Sequence, residues 1–276
     1  MSDFMYNASA LGLGGVIDNA DGTRTIISSL ASVALAPTGG EGCAVVENYS
    51  HCSGISFSRA ESRVVGYETA DEQHTTYTDI FVTGLSVFER FKVALMQVTM
   101  TSTHNATDTD STFDLRAMYR GIEVDGEEII PAIDFELCSA STYDDFANRM
   151  LNRYSTAEQF AVKETELTEA LVQRRAPFVG SIVTGLHARD KSLVPNGKGN
   201  KLFVPGIGTV RFGEFLVKPG RRRINLLRFT FGNLQMHEQP MNGRAMLLNE
   251  TTTTGGGGSL TVGSGDGNGV PIWPHG

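Results

Sequence analysis

Within "ISFSRAESRVVGY" the charged residues Arg59, Glu61 and Arg63 stand two apart. That spacing places them on one face of an extended strand, with Ile55, Phe57, Val65 and Tyr67 along the same line. Two guanidinium groups about one carboxylate can grip an anionic ligand or a partner chain. The plainer expectation is a self-paired, solvated ladder on an outer sheet face, since an ion cluster turned into a core must be fully paired to be tolerated. A second cationic group, "KPGRRR", gathers Lys218, Arg221, Arg222 and Arg223 at a turn, with Arg211 and Arg228 nearby. It can meet phosphate, an acidic polysaccharide or the acidic part of another copy, or stand in solvent as an ordinary turn.

Asp108, Asp110 and Asp114 in "HNATDTDSTFD" are hard oxygen ligands at short spacing and are the candidates for calcium. Phe113 and Tyr119 stand where an EF-hand loop needs its glycine and its final acid, so a polar hairpin loop is the simpler reading. Asp266 and Asn268 in "GSGDGNG" invite the same thought with the same discount. Cys43, His51 and Cys52 are close in sequence but lack a C-x-x-C pair and a fourth ligand at zinc spacing. Neither a G-x-S-x-G elbow nor an H-E-x-x-H helix nor a phosphate loop is present, and no cofactor is expected.

The third candidate closes the chain. Trp273, the only tryptophan, stands with Ile272 and Val270 around Pro271 and Pro274, after a run rich in glycine, serine and threonine. Such a run buries too little apolar surface to offset its ordering entropy, so it reads as a leash carrying an apolar plug.

The elements that must position these groups follow from periodicity. Residues 1–25, with Gly12, Gly14, Gly15 and Gly22, read as an extended N-terminal arm. Strand signals fill 26–137: alternation from Ile55 to Tyr67, β-branched and aromatic runs in "YTDIFVTGLSVF" and "FKVALMQVTMTS", and a tight hairpin at Asp125-Gly126. The period then changes to helical: Tyr143, Phe146, Ala147, Met150, Leu151 and Tyr154 share one helical face, opened by Thr142 and Asp145 as a capping box. Ser155 and Glu158 suggest a second helix through Leu167 and Leu171. Pro177 suggests a third through Ile182 and Leu186. After the polar "VPNGKGN", "TVRFGEFLV" and "RRINLLRFTF" flank a turn at Pro219-Gly220 and make a hairpin expected to join the sheet built by the first half. The expected architecture is mainly β (α+β): one antiparallel β-sandwich or jelly-roll-like domain over 26–250, a helical insertion at 142–190, an N-terminal arm at 1–25 and a glycine-rich C-terminal tail at 251–276.

The net charge of −8 argues against general nucleic-acid binding, which needs a cationic footprint. The charge is uneven: residues 1–140 hold 7 Lys+Arg against 20 Asp+Glu, and 141–276 hold 16 against 11. Besides arising by accident of surface composition, such asymmetry favours head-to-tail association of identical subunits. No apolar run reaches the length of a membrane span, and the acid near the N-terminus differs from a signal peptide. The cytoplasm is the default location, with signal-independent export or extracellular assembly as the alternative, in which case a Cys43–Cys52 bridge becomes a candidate.

The stretches "SLASVALAPTGGEG", "ISFSRAES", "YTDIFVTGLSVF" and "VRFGEFLVKPGRRRINLLRF" are similar to a set of uncharacterised bacterial proteins. The resemblance implies a bacterial origin and carries no activity, cofactor or site residue.

The functional expectation is a structural or interaction protein that binds itself, its terminal arms docking on neighbouring copies as a homo-oligomer or filament. A carbohydrate- or small-ligand-binding sandwich and a hydrolase with a dispersed site stand as the alternatives.

Overall fold

The computed structural model describes residues 4–18, 23–105, 111–155, 178–189, 199–218, 221–232 and 257–271. Eight strands come first: β1 (Phe4–Asp18), β2 (Arg24–Ala34), β3 (Gly40–His51), β4 (Ile55–Glu68), β5 (Gln73–Val87), β6 (Phe91–Asn105), β7 (Thr112–Val124) and β8 (Glu127–Ile133). Two helices, α1 (Phe135–Cys138) and α2 (Tyr143–Ser155), follow. The chain returns to strands as β9 (Phe178–Ser181), β10 (Val183–Ala188), β11 (Lys201–Val204), β12 (Gly208–Lys218), β13 (Arg221–Phe231) and β14 (Ser259–Pro271).

These strands form two antiparallel sheets, a β-sandwich as the alternation predicts. Sheet A runs β11-β12-β13-β14-β1-β2, with β9 also on β12; sheet B runs β10-β8-β7-β6-β5-β4-β3. The Asp125-Gly126 hairpin is present, with φ of 52° and 83° at its two turn residues and Val124 paired to Glu127. The β12–β13 hairpin is present too, with Lys218 paired to Arg221. It joins β1 and β2 through β14, not the β3–β8 sheet that most of the first half builds. The geometry at Pro219 and Gly220 lies outside the described residues.

Two expectations about the termini are overturned. Residues 4–18 are not an arm and 259–271 are not a leash: β1 and β14 pair from Phe4↔Pro271 to Val16↔Ser259 in the middle of sheet A. Glycine makes this possible because the sheets approach closely here. A Cβ on Gly265 would stand 3.0 Å from Ile80 Cδ1, and one on Gly267 3.0 Å from Met100 Cε. The glycines that resemble a flexible tail are the inward face of a core strand.

The helix expected from Pro177 through Ile182 and Leu186 is also replaced by strands. β9 pairs with β12, and β10 pairs with β8. Gly180, Gly185 and the β-branched Val179, Ile182, Val183 and Thr184 favour extended backbone over helix. Ile182, fully buried, carries the chain from one sheet to the other, and Ser181 Oγ secures the crossing by donating to Phe212 O at 2.8 Å and accepting from Val183 N–H at 2.8 Å. Four members of the predicted α2 face, Tyr143, Phe146, Ala147 and Met150, are buried, while the side chains of Leu151 and Tyr154 lie outside the described ones. Thr142 Oγ1 caps it, accepting from Asp145 N–H at 3.1 Å, while the Asp145 carboxylate accepts from Ser141 N–H at 3.3 Å. The helix expected through Leu167 and Leu171 lies outside the described residues.

A seam crosses both sheets. In sheet B it passes through Asn48, Ser58, Gly84, Ala94 and Gly121, one residue per strand from β3 to β7, where the regular pairing skips one step, or two between β4 and β5, without losing register. Alternate members are left-handed: Asn48 at φ 51°, Gly84 at 62° and Gly121 at 58°. Sheet A repeats the device with Gly213 at φ 56°, Gly263 at 64° and Ala31 at 47°, separated by Leu226 and Gly12. At each seam residue the inward face changes parity. In β5 the buried run is Thr76, Thr78, Ile80 and Val82, then Leu85 and Val87. The seam also separates two kinds of core. Toward the end of the sandwich where β1 finishes, at Asp18, the interior is apolar, with Phe91, Phe212 and Phe229 at its centre. Toward the Phe4 end lie the buried polar residues, among them Ser62, His74, Thr76, Thr78, Ser102, His104, Ser111 and Arg222.

Candidate functional site

The charged residues of β4 lie where a strand of strict alternation would not put all of their companions. Ile55 and Phe57 are 0% and 2% exposed and face the core, while Arg59, Glu61, Arg63, Val65 and Tyr67 face outward. Crossing the seam at Ser58 is what reverses the face. Outward, the ladder is self-paired: Arg59 Nη2 donates to Glu61 Oε2 at 2.7 Å and its Nη1 to Glu47, and Arg63 Nε donates to Glu41 Oε1 at 2.7 Å. The hydrogen bond to Glu61 holds the Arg59 guanidinium above its ordinary range, and the bond to Glu41 does the same for Arg63. These pairs are solvated and contribute little stability.

The basic hairpin divides between outside and inside. Arg221 is outside, its Nε donating to Asp266 Oδ2 at 3.1 Å, and exposed Arg223 is in register with Asp266. Arg222 is a correction to the expected surface cluster. It is 1% exposed, inside the sandwich. Alternation turns 222, 224 and 226 inward together, and the guanidinium is accommodated by donating to Ser111 Oγ and, at 3.0 Å, to Ser111 O, while its carbon stands 4.7 Å above the Phe113 ring centre. Lys218 ends β12 opposite Arg221. Further along the same outer face, Glu214 accepts from Arg228 Nε and Nη2 at 2.5 and 2.7 Å, and Arg211 Nε stands 3.8 Å from it. The hydrogen bond to Glu214 keeps Arg228 above the usual guanidinium range.

The fold turns the charge difference along the chain into a difference between faces. Leaving out the buried Arg222, the strands of sheet A carry 7 Lys+Arg and 3 Asp+Glu, and those of sheet B carry 5 and 9. Each face also shows large apolar side chains to solvent: Met5 and Ile26, 40% and 72% exposed, on sheet A, and Val45 and Tyr67, 44% and 48%, on sheet B.

The polar interior at the Phe4 end escaped the sequence reading. Two histidines, His74 of β5 and His104 of β6, are paired in register and each is 5% exposed. Phe4 stacks on His74 with ring centres 4.1 Å apart and stands 5.4 Å from the His104 ring, and Tyr6 Oη lies 3.1 Å from His74 Nδ1. Burial, with the Glu68 charge adding to it, pushes the Tyr6 phenol up and keeps it neutral. The pairing Thr103↔Thr112 sets Ser111, and with it Arg222, at the level of His104. Alternation through Thr76, Thr78, Met100 and Ser102 carries the signal that both histidines point inward, but scattered histidines have no motif to mark them.

The remaining candidates separate. Asp114 pairs with Arg116 at 2.9 Å on the surface, while Asp108 and Asp110 lie outside the described residues. Cys43 and Cys52 are exposed, free thiols, and nine residues of extended chain hold them roughly 25–30 Å apart, which excludes the bridge. Among the described residues no group of three or more His, Cys, Asp and Glu can hold a metal ion, so Cys43, His51 and Cys52 do not form a zinc site. Trp273 and Ile272 lie outside the described residues, and Val270 pairs with Met5 as part of β14. Among the described residues no helix is long and apolar enough to cross a membrane.

Residues 4–218 match the model of a family described as Domain of unknown function (DUF8256). No curated protein and no solved structure matches the chain.

Proposed function

The chain belongs to the DUF8256 family, and for it we propose a structural role: a sandwich that associates with further copies of itself, the basic face of sheet A on the acidic face of sheet B of the next. The observation that carries this reading is the sorting of charge onto opposite sheets, with exposed Arg221 and Arg223 on one and Glu41 and Glu47 on the other. Apolar residues within each face, Ile26 and Met5 against Val45 and Tyr67, supply the contact area that charge alone does not. Because the two faces differ, the contact is heterologous and propagates into a ring or a filament. The ends of the chain are not needed as the joining arms, since most of both is spent inside the subunit's own sheet.

The test is light scattering and negative-stain microscopy of the full chain at low and high salt. Assemblies at low ionic strength that dissolve at 1 M salt, where the screening length falls to about 3 Å, fit the reading. The double variant Arg221→Glu, Arg223→Glu should remain monomeric while retaining the wild-type circular dichroism. Monomers of the wild-type chain at every salt and protein concentration sink the idea.

A further inference from the structure

We propose that the free edge of β3 pairs antiparallel with β3 of a second copy and so joins neighbouring stacks side by side; the inference rests on the face-to-face stacking proposed above. β3 is last in sheet B and, among the described residues, pairs only with β4. None of its twelve residues is buried, so the edge stands open along its length. Such an edge offers unpaired N–H and C=O groups to another chain, and sheets ordinarily guard it with proline, lysine or a very short strand. β3 has none of these. On the far side of the sandwich the edge strands β9, β10 and β11 are four, six and four residues long. The carboxylates that would repel a second chain, Glu41 and Glu47, are drawn back to Arg63 and Arg59 of β4.

The partner that fits is the sandwich itself. β2 ends sheet A as β3 ends sheet B, and the two lie together: a Cβ on Gly42 would stand 2.6 Å from Val33 Cγ2. A two-fold axis normal to the sheets brings β3 to β3 and β2 toward β2 at once, continuing both layers, which a single peptide strand does not. That axis is also the stacking direction, so the contact repeats at every level of two parallel stacks. One strand pair is marginal in water, and repetition makes it hold.

Charge and the seam select the register. Centred on Ala44, the pairing sets Glu41 opposite the partner's Glu47, a like-charge pair. Centred on Val45 or Gly42 it keeps only five residues, because the face inverts at Asn48 and the strand begins at Gly40. Centred on Cys43 it keeps the seven residues 40–46, with Glu41 opposite the partner's Val45 and Cys43 opposite the partner's Cys43. Directly opposite Cα atoms are about 4.5–5.5 Å apart, within the span of a disulfide.

The experiment is negative-stain microscopy of the full chain at low salt, with diamide oxidation of Cys52→Ser, whose one exposed thiol is Cys43. Wild-type stacks should lie in pairs. Cys43→Glu, which keeps the face acidic but sets two carboxylates opposite each other, should give single stacks. Stacked Cys52→Ser should form a disulfide-linked dimer about a hundredfold faster than the same chain carrying Arg221→Glu and Arg223→Glu, which leaves the edge intact and prevents stacking. Single wild-type stacks, pairs that survive Cys43→Glu, or stacked chains that cross-link no faster than unstacked ones overturn the edge pairing and leave the stacking standing. Absence of stacks at every salt concentration overturns both.

Discussion

Thr78 and Asp266 are joined across the core: the Thr78 hydroxyl donates to the main-chain carbonyl of Asp266 at 3.4 Å, although 188 positions separate them in the chain. The bond fastens the last strand to the centre of the opposite sheet, and β14 also lies between β13 and β1 with partners on both sides. A chain ending at Asn249 therefore loses a central strand rather than an appendage. It should not give a cooperative unfolding transition, and its amide exchange should lack protected core strands. Gly265→Val and Gly267→Val test the same packing more finely. Each forces a branched side chain against Thr78, Ile80 or Met100 and should lower stability by about 1–3 kcal/mol in urea melts. A fully folded chain ending at Asn249 would contradict this account of β14.

The seam carries a second prediction. Gly84 is at φ 62°, and a Cβ there would stand 2.2 Å from Ser58 Oγ and 3.0 Å from its Cβ. Gly84→Ala must pay for both the left-handed backbone and the displaced serine, about 2–4 kcal/mol together. Ala31 is the reverse case. It holds φ 47° with a side chain in place, so Ala31→Gly should raise stability by about 0.5–1 kcal/mol despite the extra freedom of the unfolded chain. Equal and opposite shifts in urea midpoint are not required, only opposite signs.

The same seam explains what could be read from the sequence and what could not. Two-residue alternation and the Asp125-Gly126 turn are local signals, and they identify the sandwich, the β7–β8 hairpin and the helix from Tyr143. The face that each residue takes is a different matter, because one seam residue inverts it. Ile55 and Phe57 thus part company with Arg59, Glu61 and Arg63 at Ser58, an ordinary serine whose own spacing carries no warning. Glycine misled for a related reason. In "GSGDGNG" it reads as chain freedom, whereas here the absence of a Cβ lets β14 approach Thr76 and Thr78. Strand partners far apart in sequence, Phe4 with Pro271 above all, have no local signature. For the candidate site, the self-paired ladder and the charge asymmetry were legible; the burial of Arg222 and the meeting of His74 with His104 depended on tertiary packing.

Cysteine chemistry gives a prediction that separates surface from core. Cys43 and Cys52 are exposed and Cys138 is buried. A disulfide-exchange reagent should label two thiols per native chain, and the third only after denaturant is added. Burial, helped by the Asp134 and Asp114 charges, pushes the Cys138 thiol up to about 12 from an ordinary value of 9.0. The folded state therefore keeps a proton that the unfolded chain releases. Its contribution to stability is complete below pH 9.0 and is lost progressively as pH rises from there toward the folded value of about 12. Cys138→Ala removes this dependence along with some packing. Its destabilisation relative to wild type should be greatest near neutral pH and shrink between pH 9 and 11, as measured by urea midpoints in parallel series. A gap between the two chains that is constant across that range would show that the buried thiol does not drive the alkaline loss.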